Sequence, residues 1–185
     1  MRIFRFIIIS SFCFISSKIF AQNWYNNPTF TINGETYKVK ALVDNQGEGI
    51  IFVENLNNKC GKFPYQRTSN YEEMATRCTA LDVVDVKYLM LKIREIVNNI
   101  FSLEERIAII QNESYFRVIP RVTYENKVEV RFEFRPNSII TPMQIYTMDM
   151  ALRQIPISFN PRGYCAMIDL KCIEATGVFC PKIDE

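Results

Sequence analysis

A chain of 185 residues without a single histidine is closed to several chemistries before any element is placed. Ser-His-Asp and Cys-His catalysis, H-E-x-x-H metalloprotease sites and every histidine-ligated metal are excluded, and the absence of a Gly-rich phosphate loop removes the nucleotide enzymes. The 22 basic and 20 acidic residues give a formal charge of +2, an excess that sits at the beginning of the chain.

Residues 1–21 read as a cleavable export signal. Arg2 and Arg5 form the positive n-region, Phe6 to Ile15 (FIIISSFCFI) the apolar stretch, and Ile19-Phe20-Ala21 places a small residue at the cleavage position. A membrane helix would need about 20 apolar residues, and Lys18 interrupts this stretch. A lipoprotein signal would need a small residue before Cys13 and a Leu-like residue three before it, where Phe12 and Ser10 stand. The leader holds three of the basic residues and no acidic one, so residues 22–185 carry 19 basic against 20 acidic groups, a net charge of −1. A general electrostatic case for nucleic-acid binding disappears with it. The expected mature protein is one secreted or periplasmic α+β domain over 22–185, with no later segment apolar enough to span a membrane.

Asn33-Gly34 signals a type I′ hairpin between 29–32 and 35–43, setting Phe30 opposite Tyr37. A turn containing Gly47 and Gly49 leads to a third strand at 50–54, which completes an N-terminal antiparallel meander. Five cysteines follow the leader: Cys60, Cys78, Cys165, Cys172 and Cys180. In an exported chain they read as disulfides. Cys60 and Cys78 flank a loop-like stretch and are expected to pair, which would contribute on the order of 3 kcal/mol by loop closure. A second bridge would draw on two of the three C-terminal cysteines, and the fifth thiol could join two copies of the chain into a dimer. No C-x-x-C pair is present for zinc or redox work, so no cofactor or metal is expected.

Apolar residues at helical spacing (Val86, Leu89, Ile93, Ile96, Val97, Ile100) predict a helix over 81–100. Ser102 and Glu105 form a capping-box pattern for a short second helix through Ile110. Next comes a hairpin in which Phe116, Val118, Pro120 and Val122 alternate with charged or aliphatic residues, as do Val128, Val130, Phe132 and Phe134. Both apolar sets share a face only if the loop holds an odd number of residues. A three-residue loop at 124–126 meets this, setting Phe116 opposite Phe134, Arg117 opposite Glu133 and Arg121 opposite Glu129. Pro120 cannot donate a ladder bond, which predicts an edge strand or a bulge there. Thr141-Pro142-Met143-Gln144 starts a helix with the stripe Ile145, Met148, Leu152, Ile155. Pro156 stops it, and short strands are expected at 157–159 and 164–173.

Two resemblances follow from these segments. The leader ending in Phe20-Ala21-Gln22 resembles those of exported Bacteroidetes proteins, and the mature chain is similar in size and layout to their small secreted proteins, a group without an assigned activity. The 115–159 portion (YFRVIPRVTYENKVEVRFEFRP…ITPMQIYTMDMALRQIPISF) resembles the hairpin–helix–strand part of the TonB C-terminal domain, which would imply a periplasmic bridging fold. Neither resemblance supplies a catalytic residue.

Three groups of residues are candidates for function. Phe63, Tyr65, Arg67 and Tyr71 lie in the 61–77 segment, a loop held at its base by cysteines. Arg117, Arg121, Arg131 and Arg135 share one face of the hairpin with Glu129 and Glu133, and would either bind an anionic partner or form a solvated, salt-bridged surface. Glu104 and Glu105, with Glu113, would serve a carboxylate-dependent glycan hydrolase, or simply favour a helix start. Asn112-Glu113-Ser114 matches a glycosylation acceptor. The expected function is a non-enzymatic, disulfide-stabilised binding module for a protein or glycan partner, with the hydrolase as the alternative.

Overall fold

Asn33 and Gly34 both adopt positive φ, 49° and 84°, the type I′ geometry whose twist matches the flanking strands. The turn joins β1 (Thr29–Ile32) to β2 (Glu35–Val43), and Phe30 stands opposite Tyr37 with the two rings stacked at 4.9 Å between centroids. β3 (Gly49–Asn55) pairs with β2 and completes the meander. The computed structural model describes residues 24–43, 47–60, 78–111, 116–167, 170–175 and 177–179. The leader, the 61–77 segment with Phe63, Tyr65, Arg67 and Tyr71, the 112–114 acceptor with Glu113, and Cys180 lie outside the described residues.

Helix α1 runs Val86–Ile100, later than expected from periodicity, because Asp85 caps it by accepting the Tyr88 N–H at 2.9 Å. The preceding Ala80–Asp82 is a single 3₁₀ turn. Val86, Leu89, Ile93 and Val97 form its buried stripe. α2 (Leu103–Gln111) starts on the expected capping box: Glu105 accepts the Ser102 N–H at 2.8 Å and Ser102 Oγ accepts the Glu105 N–H at 3.2 Å. α3 (Pro142–Leu152) has the same device in Thr141 and Gln144, worth about 1 kcal/mol. Its stripe of Ile145, Met148, Leu152 and Ile155 is buried.

β4 (Phe116–Thr123) and β5 (Lys127–Phe134) pair in the register that the apolar alternation requires, with Arg117 opposite Glu133 and Arg121 opposite Glu129. Asn126, at φ 59°, closes the three-residue loop. β6 (Cys172–Glu174) and β7 (Val178–Phe179) both pair with β4. The seven strands follow the order β1-β2-β3-β5-β4-β6, with β7 beside β4. Pro120 faces the break between β6 and β7. The pairing changes from Arg121 opposite Glu174 to Val118 opposite Val178, so the outer chain carries one extra residue there, and the Ala175 N–H donates to the Pro120 carbonyl at 2.9 Å. The bulge is in the neighbour, where the missing proline donor leaves a gap in the ladder.

α1 and α3 pack together, and they cover one face of the sheet through contacts of α3 with β5 and β1 and of α1 with β7. Tyr37, Val53, Phe116, Val118, Phe132 and Phe134 line that inner face and are buried. Each such side chain contributes roughly 1.5–3 kcal/mol by burial. Among the described residues no helix is long and apolar enough to cross a membrane.

Three expectations are corrected. Residues 157–159 form no strand: they are extended chain held by single bonds, the Phe159 N–H to Asn126 Oδ1 at 2.7 Å and the Asn160 N–H to the Val83 carbonyl at 2.9 Å. With that strand missing, the TonB-like order of hairpin, helix and strand is not completed. Residues 163–167 form a 3₁₀ helix that begins at Gly163, φ 56°, so among the described residues of the expected 164–173 strand only Cys172 and Ile173 are in one, which runs on to Glu174. Cys60 does not pair with Cys78. The bridges are Cys60–Cys172 and Cys78–Cys165, because residues 59–60 lie on β5 through Glu129, close to β6, while the 79–83 turn bonds residues 160–162.

Candidate functional site

The sheet's outer face, opposite the helices, gathers the chain's charge. Strand alternation places Lys38, Lys40 and Leu42 of β2 there, with Phe52 and Glu54 of β3, Glu129, Arg131 and Glu133 of β5, and Arg117, Ile119 and Arg121 of β4. Three of the four arginines expected to share a face are brought together. Arg121 donates through Nη1 to Glu54 at 3.3 Å and through Nε to Glu174 at 3.0 Å. Arg131 bonds Glu133 at 3.2 Å, lies 3.8 Å from Glu174, and sits 5.4 Å above the Phe52 ring, a cation–π distance. Arg117 approaches Glu133 at 3.5 Å. A side chain at Gly177 would place its Cβ 2.0 Å from Arg117 Nε, so glycine leaves room for this guanidinium. Arg135 stands apart, against Glu48 and the Gly49 carbonyl.

A simple solvated face is also corrected. Glu129, Glu133 and Ile119 are buried. Glu129 faces Arg121 in register but bonds elsewhere: its carboxylate accepts the Lys59 N–H at 2.7 Å and the Cys60 N–H at 2.8 Å. A buried carboxylate thus anchors the segment that folds over β5 after β3 ends.

Between this covered region and β2 lies a cleft of about 620 Å³ whose lining includes Lys38, Lys40, Phe52, Glu54, Arg121 and Arg131. Its described charges are four cations and one carboxylate. Lys38 and Lys40 are exposed and make no ion pair among the described residues, and Arg131 Nε is buried without a hydrogen-bond partner. Sequence reading missed the two lysines, although their i, i+2 spacing in 35–43 puts both on one face of a strand. The site needs both this alternation and the β3–β5 pairing, which brings Phe52 and Glu54 beside the hairpin.

Behind the sheet lies a second polar group that sequence reading missed. Asp149 of α3 has no exposed surface. It accepts from Tyr37 Oη at 2.9 Å, Asn55 Nδ2 at 3.0 Å and, through both oxygens, Arg153 at 3.0 Å. Burial, reinforced by the Asp149 carboxylate, pushes the Tyr37 phenol far above its usual range. Burial works to lower the Arg153 pKa, but hydrogen bonding to Asp149 raises it on balance. Arg153 also bonds Asn58, and Asn58 bonds the Val130 carbonyl. The signal was Asp149 standing four residues after Ile145 within the apolar stripe, with Arg153 four residues later.

The acids named for hydrolysis have other partners. Glu105 joins the Ser102 N–H to Gln144 Nε2 at 2.9 Å. Glu104 is held below the usual carboxylate range by its own N–H and the Ser102 side chain. Among the described residues no group of three metal-ligating side chains could hold an ion.

No family model matches the chain, and no curated protein matches it. Among solved structures it is similar to the crystal structure of a DUF5043 family protein from Bacteroides uniformis ATCC 8492, with a TM-score of 0.56 and 17% identity over 85% of this chain and 86% of that one. At that identity the likeness is one of fold. It accords with the resemblance to Bacteroidetes proteins.

Proposed function

We propose that the chain works outside the cytosol as a non-enzymatic, disulfide-stabilised binding module, and that its ligand site is the cation-lined cleft on the outer face of the sheet. The observation that carries this reading is the cleft's charge: four cations against one carboxylate, with Lys38 and Lys40 unpaired among the described residues. Arg121 and Arg131 are answered by Glu54, Glu174 and Glu133, so the cleft's unbalanced charge is that of Lys38 and Lys40. The volume falls in the range of small-ligand sites, with Phe52 and Leu42 as apolar surface and the ammonium groups as point charges. The ligand class is an organic anion, for which an acidic oligosaccharide is the test compound.

Isothermal titration of the mature chain with matched uronate and neutral oligosaccharides tests the reading. Heat is expected with the uronate alone, weakening as salt rises and falling by about tenfold or more in the Lys38→Glu/Lys40→Glu variant. Equal binding of both sugars, or binding that ignores the charge reversal, would overturn it.

A further inference from the structure

β2 outruns its neighbour on one side. β1 covers it from Glu35 to Lys38, and the Pro28 carbonyl takes the Val39 N–H at 2.8 Å. From Lys40 to Val43 the strand is paired with β3 only. Backbone alternation says which groups are left. The Thr36 carbonyl accepts from Leu56, so the even-numbered residues of β2 turn their peptide groups toward β3, and the odd-numbered ones, like Val39, turn away. Ala41 and Val43 therefore present N–H and C=O groups at an edge that meets no strand among the described residues. Edges of this kind are commonly blunted by proline, a bulge or charge. Here the run is Ala41-Leu42-Val43, with Leu42 42% and Val43 72% exposed, and the charges beside it, Lys38 and Lys40, are cations without an ion-pair partner among the described residues.

We infer that this edge is a docking surface for an extended acidic peptide of a partner protein, which adds to the sheet as a strand along Ala41–Val43. The backbone groups select an extended chain and the side chains select its charge. On the outer face, the peptide residue beside Lys40 is acidic and the one beside Leu42 is apolar, about 6.8 Å apart along the strand. On the inner face, the residues beside Ala41 and Val43 are apolar. The inference stands apart from the cleft reading, because it depends on N–H and C=O groups that an anion in the cleft would not use.

Fluorescence anisotropy of the oxidised mature chain with an end-blocked, labelled hexapeptide of valines carrying one glutamate, at an outward position so that it can stand beside Lys40 with valine beside Leu42, tests it. Saturable binding is expected. Methylating the peptide nitrogens that face the edge keeps the charge but removes the strand's donors, and should weaken binding about tenfold or more. Lys40→Glu should shift preference to the valine–lysine peptide. Equal affinity for the methylated peptide overturns strand addition whether or not the cleft binds anions. So does the absence of binding by the valine–glutamate peptide to a chain that melts normally. A concentration-dependent dimer abolished by Leu42→Arg would give the edge to a second copy and overturn the peptide assignment.

Discussion

Asp149 is a carboxylate with no exposed surface, so its charge is answered entirely from within, by one phenol, one amide and a bidentate arginine. Truncating one partner of such a group costs more than the pair contributes, because the other partners stay buried with their donors unmet. Asp149→Ala is expected to lower stability by about 3–5 kcal/mol, measured as a lower urea midpoint with an unchanged slope. A loss under about 1 kcal/mol would mean that water replaces the carboxylate. The same cluster makes an alkaline prediction. Tyr37 ordinarily ionises near pH 10, and burial with the Asp149 charge raises this far higher in the folded chain. The neutral form is the native one, so the contribution is fully present below about pH 10. Above it, the unfolded chain releases a proton that the native chain retains, and stability falls as pH rises. Tyr37→Phe should be less stable at neutral pH yet lose stability less steeply in alkali, as followed by urea melts between about pH 8 and 11. Parallel slopes for the two proteins would refute it.

At the scale of elements, local chemistry was legible wherever one short-range rule decided the outcome. Asn33-Gly34, the Ser102/Glu105 and Thr141/Gln144 caps, and the odd loop at 124–126 each concern residues within a few positions of one another, and each forms as expected. Failures came where the partner was distant. Residues 164–173 alternate too weakly to be a strand along their whole length; β4 pairs with two of the described ones, Cys172 and Ile173, and Gly163 at φ 56° directs the chain into a 3₁₀ turn first. Of the two charge pairs that the expected register sets opposite each other, Arg117 and Glu133 meet at 3.5 Å, and Arg121 and Glu129 do not bond. Arg121 takes Glu54 and Glu174 from two other strands, while its cross-strand neighbour Glu129 turns to the N–H groups of residues 59–60. Cross-strand register states which residues are opposite, and side-chain reach across a sheet then chooses among several neighbours.

For the whole molecule, the two disulfides tie the chain after the meander to β6 and to the 3₁₀ turn at Gly163–Met167, across sequence separations of 112 and 87 residues. Each loop of that size constrains the unfolded chain by about 4–5 kcal/mol in the chain-entropy account, against about 3 kcal/mol for the short Cys60–Cys78 loop. Digestion without reduction followed by mass spectrometry should recover the Cys60–Cys172 and Cys78–Cys165 peptides and no Cys60–Cys78 peptide. The Cys60→Ser/Cys172→Ser pair should cost about 2–5 kcal/mol on thermal unfolding. A Cys60–Cys78 peptide would contradict the placement of both segments.

The sequence by itself determined the export signal as an expectation, the α+β class, the first hairpin, the starts of α2 and α3 and the register of β4 with β5. Turns, caps and period-two patterning act over a few residues, and their physics is complete within that window. Only the tertiary structure decided the cysteine pairing, the buried Asp149 cluster, the open edge of β2 and the cleft. Each depends on β3 lying beside β5 and on segments far apart in the chain being packed against one sheet, a choice set by burial of the whole inner face that no local pattern encodes.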